Sequence, residues 1–237
     1  MSLFVGSNLQ ICIEPFIYLL YQRFSLQYNM KQIFYIIRHG ETDYNKAGMV
    51  QGSGVDSSLN STGIKQANAF FESYKSTKFD KIFVSGLKRT KESVQGFIDI
   101  GIPYESILEL NEISWGDFEG QPVSEEMRER YLNIIDEWQK GHLDLAYKNA
   151  ETPLQMQARQ KIALQKILAL SREGNQFLIA THGRYLRAFI CLLLNHPLHQ
   201  MDDFLHSNLC LYRFEYDGEK FTLLDAFNTM HLEGMES

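Results

Sequence analysis

The chain has 237 residues, 44% hydrophobic and 22% charged, an ordinary globular composition long enough for one well-buried α/β domain with an inserted subregion. Its formal net charge of −6 comes with no basic stripe, so neither nucleic acid nor an anionic membrane is supported as a partner, and an anionic substrate must be drawn by a local cationic pocket. Three cysteines, Cys12, Cys191 and Cys210, form an odd count without Cys-x-x-Cys spacing, which fits a reducing cytoplasm.

In chain order, Ile11–Tyr21 is apolar but interrupted by Glu14 and Pro15, too short to span a bilayer and without a basic leader, so it does not read as a targeting segment. The run Ile33-Phe34-Tyr35-Ile36-Ile37 reads as a buried strand that ends in Arg38-His39-Gly40-Glu41-Thr42. An arginine offers a planar fork of donors matched to phosphate oxygens, and a neutral histidine beside it can attack the phosphorus so held; alone, the same pentapeptide is also a polar turn after a strand.

Ser61-Thr62-Gly63 opens a helix with Ile64, Ala67, Phe70, Phe71 and Tyr74 on one face. Lys81–Ser85 is a second short strand that breaks at Gly86 and leads into a helix carrying Arg89, with Leu87, Thr90, Val94 and Phe97 as its core face. From Pro122 a helical period runs through Val123, Met127, Tyr131, Ile134, Ile135 and Trp138, with Glu125 and Glu126 suiting the first turn. The polar stretch Gly141–Pro153 returns the chain to a helix bearing Leu164, Ile167, Leu168 and Leu170.

Phe177–Thr181 is a third strand ending in His182-Gly183 ahead of the apolar helix Tyr185–Leu194. Alternation in Cys210, Tyr212, Phe214 and Tyr216, then Asp217-Gly218 and Phe221–Leu224, signals a hairpin at the sheet margin. Ligands of open α/β sheets gather outside the carboxyl ends of strands, so Arg38, His39, Arg89 and His182 are expected to converge there.

On these residues the chain resembles the histidine phosphatase superfamily, the phosphoglycerate mutase-like branch. The resemblance is carried by Arg38-His39-Gly40-Glu41-Thr42 with Asn45, by Gln51-Gly52, Asp56, Leu59, Gly63 and Gln66-Ala67, by Ser85–Thr90, by Leu110-Asn111-Glu112 with Gly116, Glu119 and Gly120, and by Thr181-His182-Gly183. Gly86 and Thr90 stand where the family has proline and alanine, Ala150-Glu151-Thr152 replaces its Gly-Glu-Ser, and a bulky Arg184 follows His182-Gly183. The resemblance implies a three-layer α/β/α sandwich with a mostly parallel sheet and a small helical cap at about 118–153. It begins near Met30, so residues 30–237 are read as the domain and 1–29 as an extension, either lineage-specific or residues from an upstream start.

The expected activity is hydrolysis of a small phosphorylated metabolite, with no metal and no cofactor. His39 takes the phosphoryl group, and Arg38, Arg89 and His182 clamp its oxygens. Asn45 and Gly183 complete the phosphate site, and the resemblance gives Glu112 the role of proton donor. Glu41 reads as a helix-entry residue. A dense run of potential metal ligands, His196, His199, Asp202, Asp203 and His206, is interrupted by Pro197, lacks His-Glu-x-x-His order and reads mostly as a polar loop. The alternative is mutase-type phosphoryl transfer, but Gly183-Arg184 and the short cap offer no recognisable clamp for a phosphorylated three-carbon acid.

Overall fold

A computed structural model describes residues 31–122, 124–172 and 174–235, so the 1–29 extension with Cys12, and Val123 of the expected cap, lie outside the described residues. The Ile33–Ile37 run forms strand β1 (Gln32–Arg38). Its side chains alternate between two cores, Phe34 and Ile36 in one and Tyr35 and Ile37 in the other, which is why the run is apolar throughout rather than at every second position. Strands β2 (Lys81–Val84), β3 (Tyr104–Ser106) and β4 (Gln176–Thr181) are parallel to β1, and β5 (Leu211–Tyr216) and β6 (Phe221–Asn228) close the sheet as an antiparallel hairpin. The six-stranded order is β3-β2-β4-β1-β5-β6.

Seven α-helices are described: α1 (Asp43–Lys46), α2 (Ser61–Tyr74), α3 (Lys88–Glu92), α4 (Gln95–Asp99), α5 (Glu125–Gln139), α6 (Pro153–Leu170) and α7 (Gly183–Leu194). Met156, Ala163 and Ile167 of α6 and Tyr185 and Phe189 of α7 cover one face of the sheet. Phe70 of α2 and Phe97 of α4 cover the other, completing the expected three layers. No helix among the described residues is long and apolar enough to cross a membrane.

Two helix expectations need correction. The Leu87–Phe97 face belongs to two short helices, because the chain leaves helical geometry at Val94 (φ −120°, ψ 12°), just past Ser93, whose Oγ donates to the Arg89 carbonyl at 2.6 Å and accepts from the Gly40 N–H at 2.9 Å. The helix expected from Pro122 begins at Glu125, where the Ser124 hydroxyl accepts from the Met127 N–H at 3.2 Å, a side-chain cap that stops the helix reaching further back. Glu125 and Glu126 do occupy its first turn.

Helix α2 is capped by Asn60, whose Oδ1 accepts from the Gly63 N–H at 2.9 Å while its Nδ2 donates to Glu41 at 2.8 Å, tying the helix start to the loop after His39. Gly63 lets the two backbones touch, since a Cβ there would lie 2.1 Å from the Glu41 carbonyl oxygen. Gly63→Ala is therefore expected to lower stability by about 1–3 kcal/mol through overpacking against backbone. Urea unfolding of the two proteins measures it, and an unchanged midpoint would contradict this packing.

Candidate active site

Three of the four parallel strands, β1, β2 and β4, deliver their chemistry to one end of the sheet. In register, Arg38 is level with Thr181 and Val84 with Ala180, so the residues just beyond, His39, Ser85 and His182, are neighbours. The two histidine rings lie 5.2 Å apart, centre to centre.

His39 is 3% exposed, and its Nδ1 is 2.7 Å from the carbonyl oxygen of Gly40. A carbonyl can only accept, so Nδ1 carries the proton and Nε2 keeps its lone pair. Burial, then the nearby Arg89 and Arg38 guanidiniums, hold the ring's pKa well below 6.5. A neutral imidazole with a free Nε2 is the form that can act as a nucleophile.

Behind it stand Arg89 and His182, both fully buried. Arg89 Nη1 donates to the Val55 carbonyl (2.6 Å), Nη2 to that of Gly52 (3.2 Å) and Nε to His182 Nδ1 (3.2 Å). With its amide oxygen facing Arg89, Gln51 accepts from Nε at 2.8 Å and Nη1 at 3.1 Å, while its nitrogen donates to Thr42 and Ser57. Burial pulls Arg89 down to about 10, which leaves it cationic at neutral pH. Because Arg89 donates to Nδ1 of His182, the neutral ring's proton is on Nε2, 2.9 Å from Ser85 Oγ. The chain of hydroxyls continues from Ser85 to Thr90 (3.0 Å) and from Thr90 to the Leu87 carbonyl (2.8 Å). Thr90, where the family has alanine, thus completes a buried polar network. Both ring nitrogens of His182 are engaged within the protein, so in this arrangement it holds Arg89 instead of facing the cavity.

Glu112 is 6% exposed, and its carboxylate stands at the start of α7. Oε1 accepts from the N–H groups of Ile113 (2.9 Å) and Tyr185 (2.8 Å), and Oε2 from that of Arg184 (3.0 Å). It caps a helix whose own N-cap, His182, supplies no side-chain bond. Arg159 pins the Glu112 loop from behind. It pairs with Glu151 through Nε–Oε1 (2.7 Å) and Nη2–Oε2 (2.8 Å) and donates to the carbonyls of Glu109, Asn111 and Glu112.

A cavity of 480 Å³ opens onto these groups. Arg38, His39, Asn45, Glu112, Gly183 and His206 form its polar floor, and Met49, Val50, Trp115, Met127 and Tyr131 its apolar wall, with Arg128 and Arg184 among them. Asn45 Oδ1 accepts from the Thr42 N–H (3.3 Å) and from Asn208 Nδ2 (3.1 Å), which leaves its own Nδ2 as a donor for a ligand. Glu41 faces Asn60, as a helix-entry residue should. All the expected site residues are thus brought to one strand-end region, but Arg89 and His182 lie one layer deeper than the cavity wall.

Sequence reasoning missed several contributors. The bulky Arg184 is a strut: Nη1 donates to Asp202 (2.6 Å), Nη2 to the Tyr131 hydroxyl of α5 (3.0 Å), and its guanidinium lies 5.8 Å from the centre of the Trp138 ring. Arg187 donates to the same Asp202 oxygen at 2.5 Å. The run read as a polar loop therefore supplies ion-pair and cavity residues, and part of it, Leu198–Asp203, is a 3-10 stretch with Leu198 and Met201 buried. Among the described residues no cluster of three or more His, Cys, Asp or Glu is placed to hold a metal ion. Cys191 and Cys210 are buried free thiols.

The profile described as histidine phosphatase superfamily (branch 1) matches residues 34–229. Fructose-2,6-bisphosphatase TIGAR of Bos taurus is 41% identical over 97 residues, which are 38% of this chain and only 35% of that protein's length. The uncharacterized phosphatase PhoE of Bacillus subtilis is 30% identical over 204 residues, covering 84% of this chain and 96% of PhoE. The solved structure of Bacillus stearothermophilus YhfR superposes with a TM-score of 0.75 at 27% identity, over 85% of this chain and all of that one.

The buried histidines predict how stability responds to acid. His39 and His182 are held well below 6.5, chiefly by burial, and His206 is pushed down to about 2 by burial and then Arg38. As pH falls below about 6.5 the unfolded chain takes up protons that the folded chain refuses, so stability is full above that value and lost beneath it. Each such histidine contributes a slope of about 1.4 kcal/mol per pH unit. Thermal melting between pH 7.5 and 5 should show a steep fall, and a flat profile would contradict the neutral rings.

Proposed function

The chain belongs to branch 1 of the histidine phosphatase superfamily, and from that premise we propose that it hydrolyses small phosphomonoesters through a phosphohistidine on Nε2 of His39. The observation that carries this reading is the His39 Nδ1–Gly40 contact, which leaves a lone pair on the other nitrogen of a ring kept neutral beside two guanidiniums.

In the first step Nε2 forms a bond to phosphorus while the ester oxygen leaves with the bonding pair. Arg38, with Nδ2 of Asn45 and the N–H of Gly183 at the start of α7, binds the phosphoryl oxygens, and Arg89 adds its positive field from behind. The leaving oxygen takes a proton from Glu112. Oε2, which accepts one N–H where Oε1 accepts two, is the oxygen with a lone pair free to hold it. In the second step the same carboxylate removes a proton from water as water attacks phosphorus, returning His39 and releasing phosphate. Seating His182 between Arg89 and Ser85 keeps the field of Arg89 directed at His39.

The apolar wall of Met49, Val50, Trp115, Met127 and Tyr131 suits an alcohol with an apolar face, and makes α5 and its flanks the region that selects the substrate. The neighbours do not agree on a substrate by name: one is a fructose-2,6-bisphosphatase and another a putative phosphoserine phosphatase.

Two measurements test the reading. Purified protein incubated with a phosphomonoester panel and a chelator should release inorganic phosphate with no phosphorylated primer; activity that requires a primer and only interconverts phosphorylated acids would replace hydrolase by mutase. Glu112→Gln should slow alkyl phosphates by about 100-fold or more but nitrophenyl phosphate by less than about tenfold, because nitrophenolate departs without a proton. Equal losses on both would remove Glu112 as the acid.

A further inference from the structure

The mechanism above leaves His206 without a task, although its ring lines the cavity beside Arg38 and Gly183. Its Nδ1 is 3.0 Å from Nη1 of Arg38. A guanidinium only donates, so Nδ1 accepts, and the neutral ring carries its proton on Nε2. Gly183 makes this approach possible: a Cβ at that position would stand 2.9 Å from Cε1 of His206 and 3.3 Å from Nε of Arg38.

The choice of partner sets Arg38 apart from the guanidiniums that brace the site and likens it to Arg89, which meets His182 and two carbonyls and, among the described residues, no carboxylate in ion-pair contact. Arg159 is paired with Glu151, and Arg184 and Arg187 share Asp202. Arg38 has no carboxylate in ion-pair contact among the described residues, and its Nε is buried without an acceptor in the protein. A buried donor left in this way costs free energy unless a ligand supplies the acceptor. An aspartate in place of His206 would hold the same guanidinium plane but would also neutralise it. A neutral imidazole holds the plane and leaves the charge available.

We propose that His206 is a positioning residue of the phosphate subsite, fixing the plane of Arg38 through Nδ1 while leaving the guanidinium's charge uncompensated for a phosphoryl dianion. The inference rests on the phosphatase reading of the cavity. It adds a residue from the 198–206 segment to a site whose two histidines, His39 and His182, come from strand ends.

The test compares His206→Asn with His206→Asp in the full chain. The two side chains match in size and both offer an oxygen to Arg38, but only one brings a charge. Calorimetric titration with inorganic phosphate should show binding weakened about two- to threefold in the Asn variant and about thirtyfold or more in the Asp variant, as expected when a nearby carboxylate cancels a buried cation. With nitrophenyl phosphate, the Asp variant should show its loss mainly as a raised KM, and the Asn variant should recover most of it. Equal weakening by Asn and Asp would mean that His206 only fills space, and wild-type affinity in the Asp variant would mean that Arg38 does not bind phosphate through this face; either overturns the proposal. Should the Asp variant fail to fold, nitrogen NMR of the wild-type ring decides: a proton on Nε2, with ring signals that move as phosphate is added, supports the proposal, and a proton on Nδ1 or signals that do not move overturn it. Phosphate binding needs no turnover, so failure of the hydrolase reading is seen separately, as a protein that binds phosphate but releases none from any ester.

Discussion

The hydrogen bond from the His39 N–H to the Thr181 carbonyl, 2.9 Å long, continues the parallel ladder of β1 and β4 one step past its last paired residues. Through it the positions of His39 and His182 become a property of the sheet. The sheet is buried on both faces, and a one-residue slip would send Phe34 and Ile36 into the core now filled by Tyr35 and Ile37, so the register is strongly determined. Loops and short helices then place what the ladder does not reach: Glu112, pinned by Arg159, Asn45 on α1, held by Asn208 and Thr42, and Arg89 on α3.

The second constraint is electrostatic. A chain of net charge −6 sets Arg38 and Arg89 beside His39 and Arg128 and Arg184 on the wall of its cavity, and a buried cation is costly wherever its donors are unmet. Arg89 is met by the Val55 and Gly52 carbonyls, Arg159 by three carbonyls and a bidentate carboxylate, and Arg184 by Asp202 and the Tyr131 hydroxyl. The last of these also joins α5 to the start of α7. A helix that shapes the cavity wall is therefore tied to the residue next to Gly183, and loss of Arg184 would loosen both together.

Much of this was legible in the residues. The continuous apolar runs before Arg38-His39 and Thr181-His182 identify buried parallel strands, because only a sheet covered on both faces makes every position apolar. The Cys210–Leu224 alternation likewise marks the antiparallel hairpin. What periodicity could not show is where a polar side chain spends its bonds. The helix whose apolar face continues through Phe97 is interrupted at Val94, beside a Ser93 hydroxyl that bonds to Gly40, 53 residues away in sequence. His206 and Asp202 look like metal ligands or loop residues until their partners, Arg38 and Arg184, are brought to them from distant segments. His182 belongs to the expected site, yet whether it meets a ligand or Arg89 depends on ring orientation, to which spacing is blind.

The Gly40 carbonyl holds the His39 proton on Nδ1, and in the proposed reaction that leaves Nε2 as the atom to carry the phosphoryl group. Phosphoenzyme formed from a phosphomonoester, quenched and held at alkaline pH, can be examined by phosphorus NMR with nitrogen-labelled histidine to find the bonded nitrogen. The account predicts a phosphoryl group on Nε2 of His39, absent in His39→Ala. Attachment through Nδ1, attachment to any other residue, or rapid turnover with no phosphoenzyme at any quench time would contradict it.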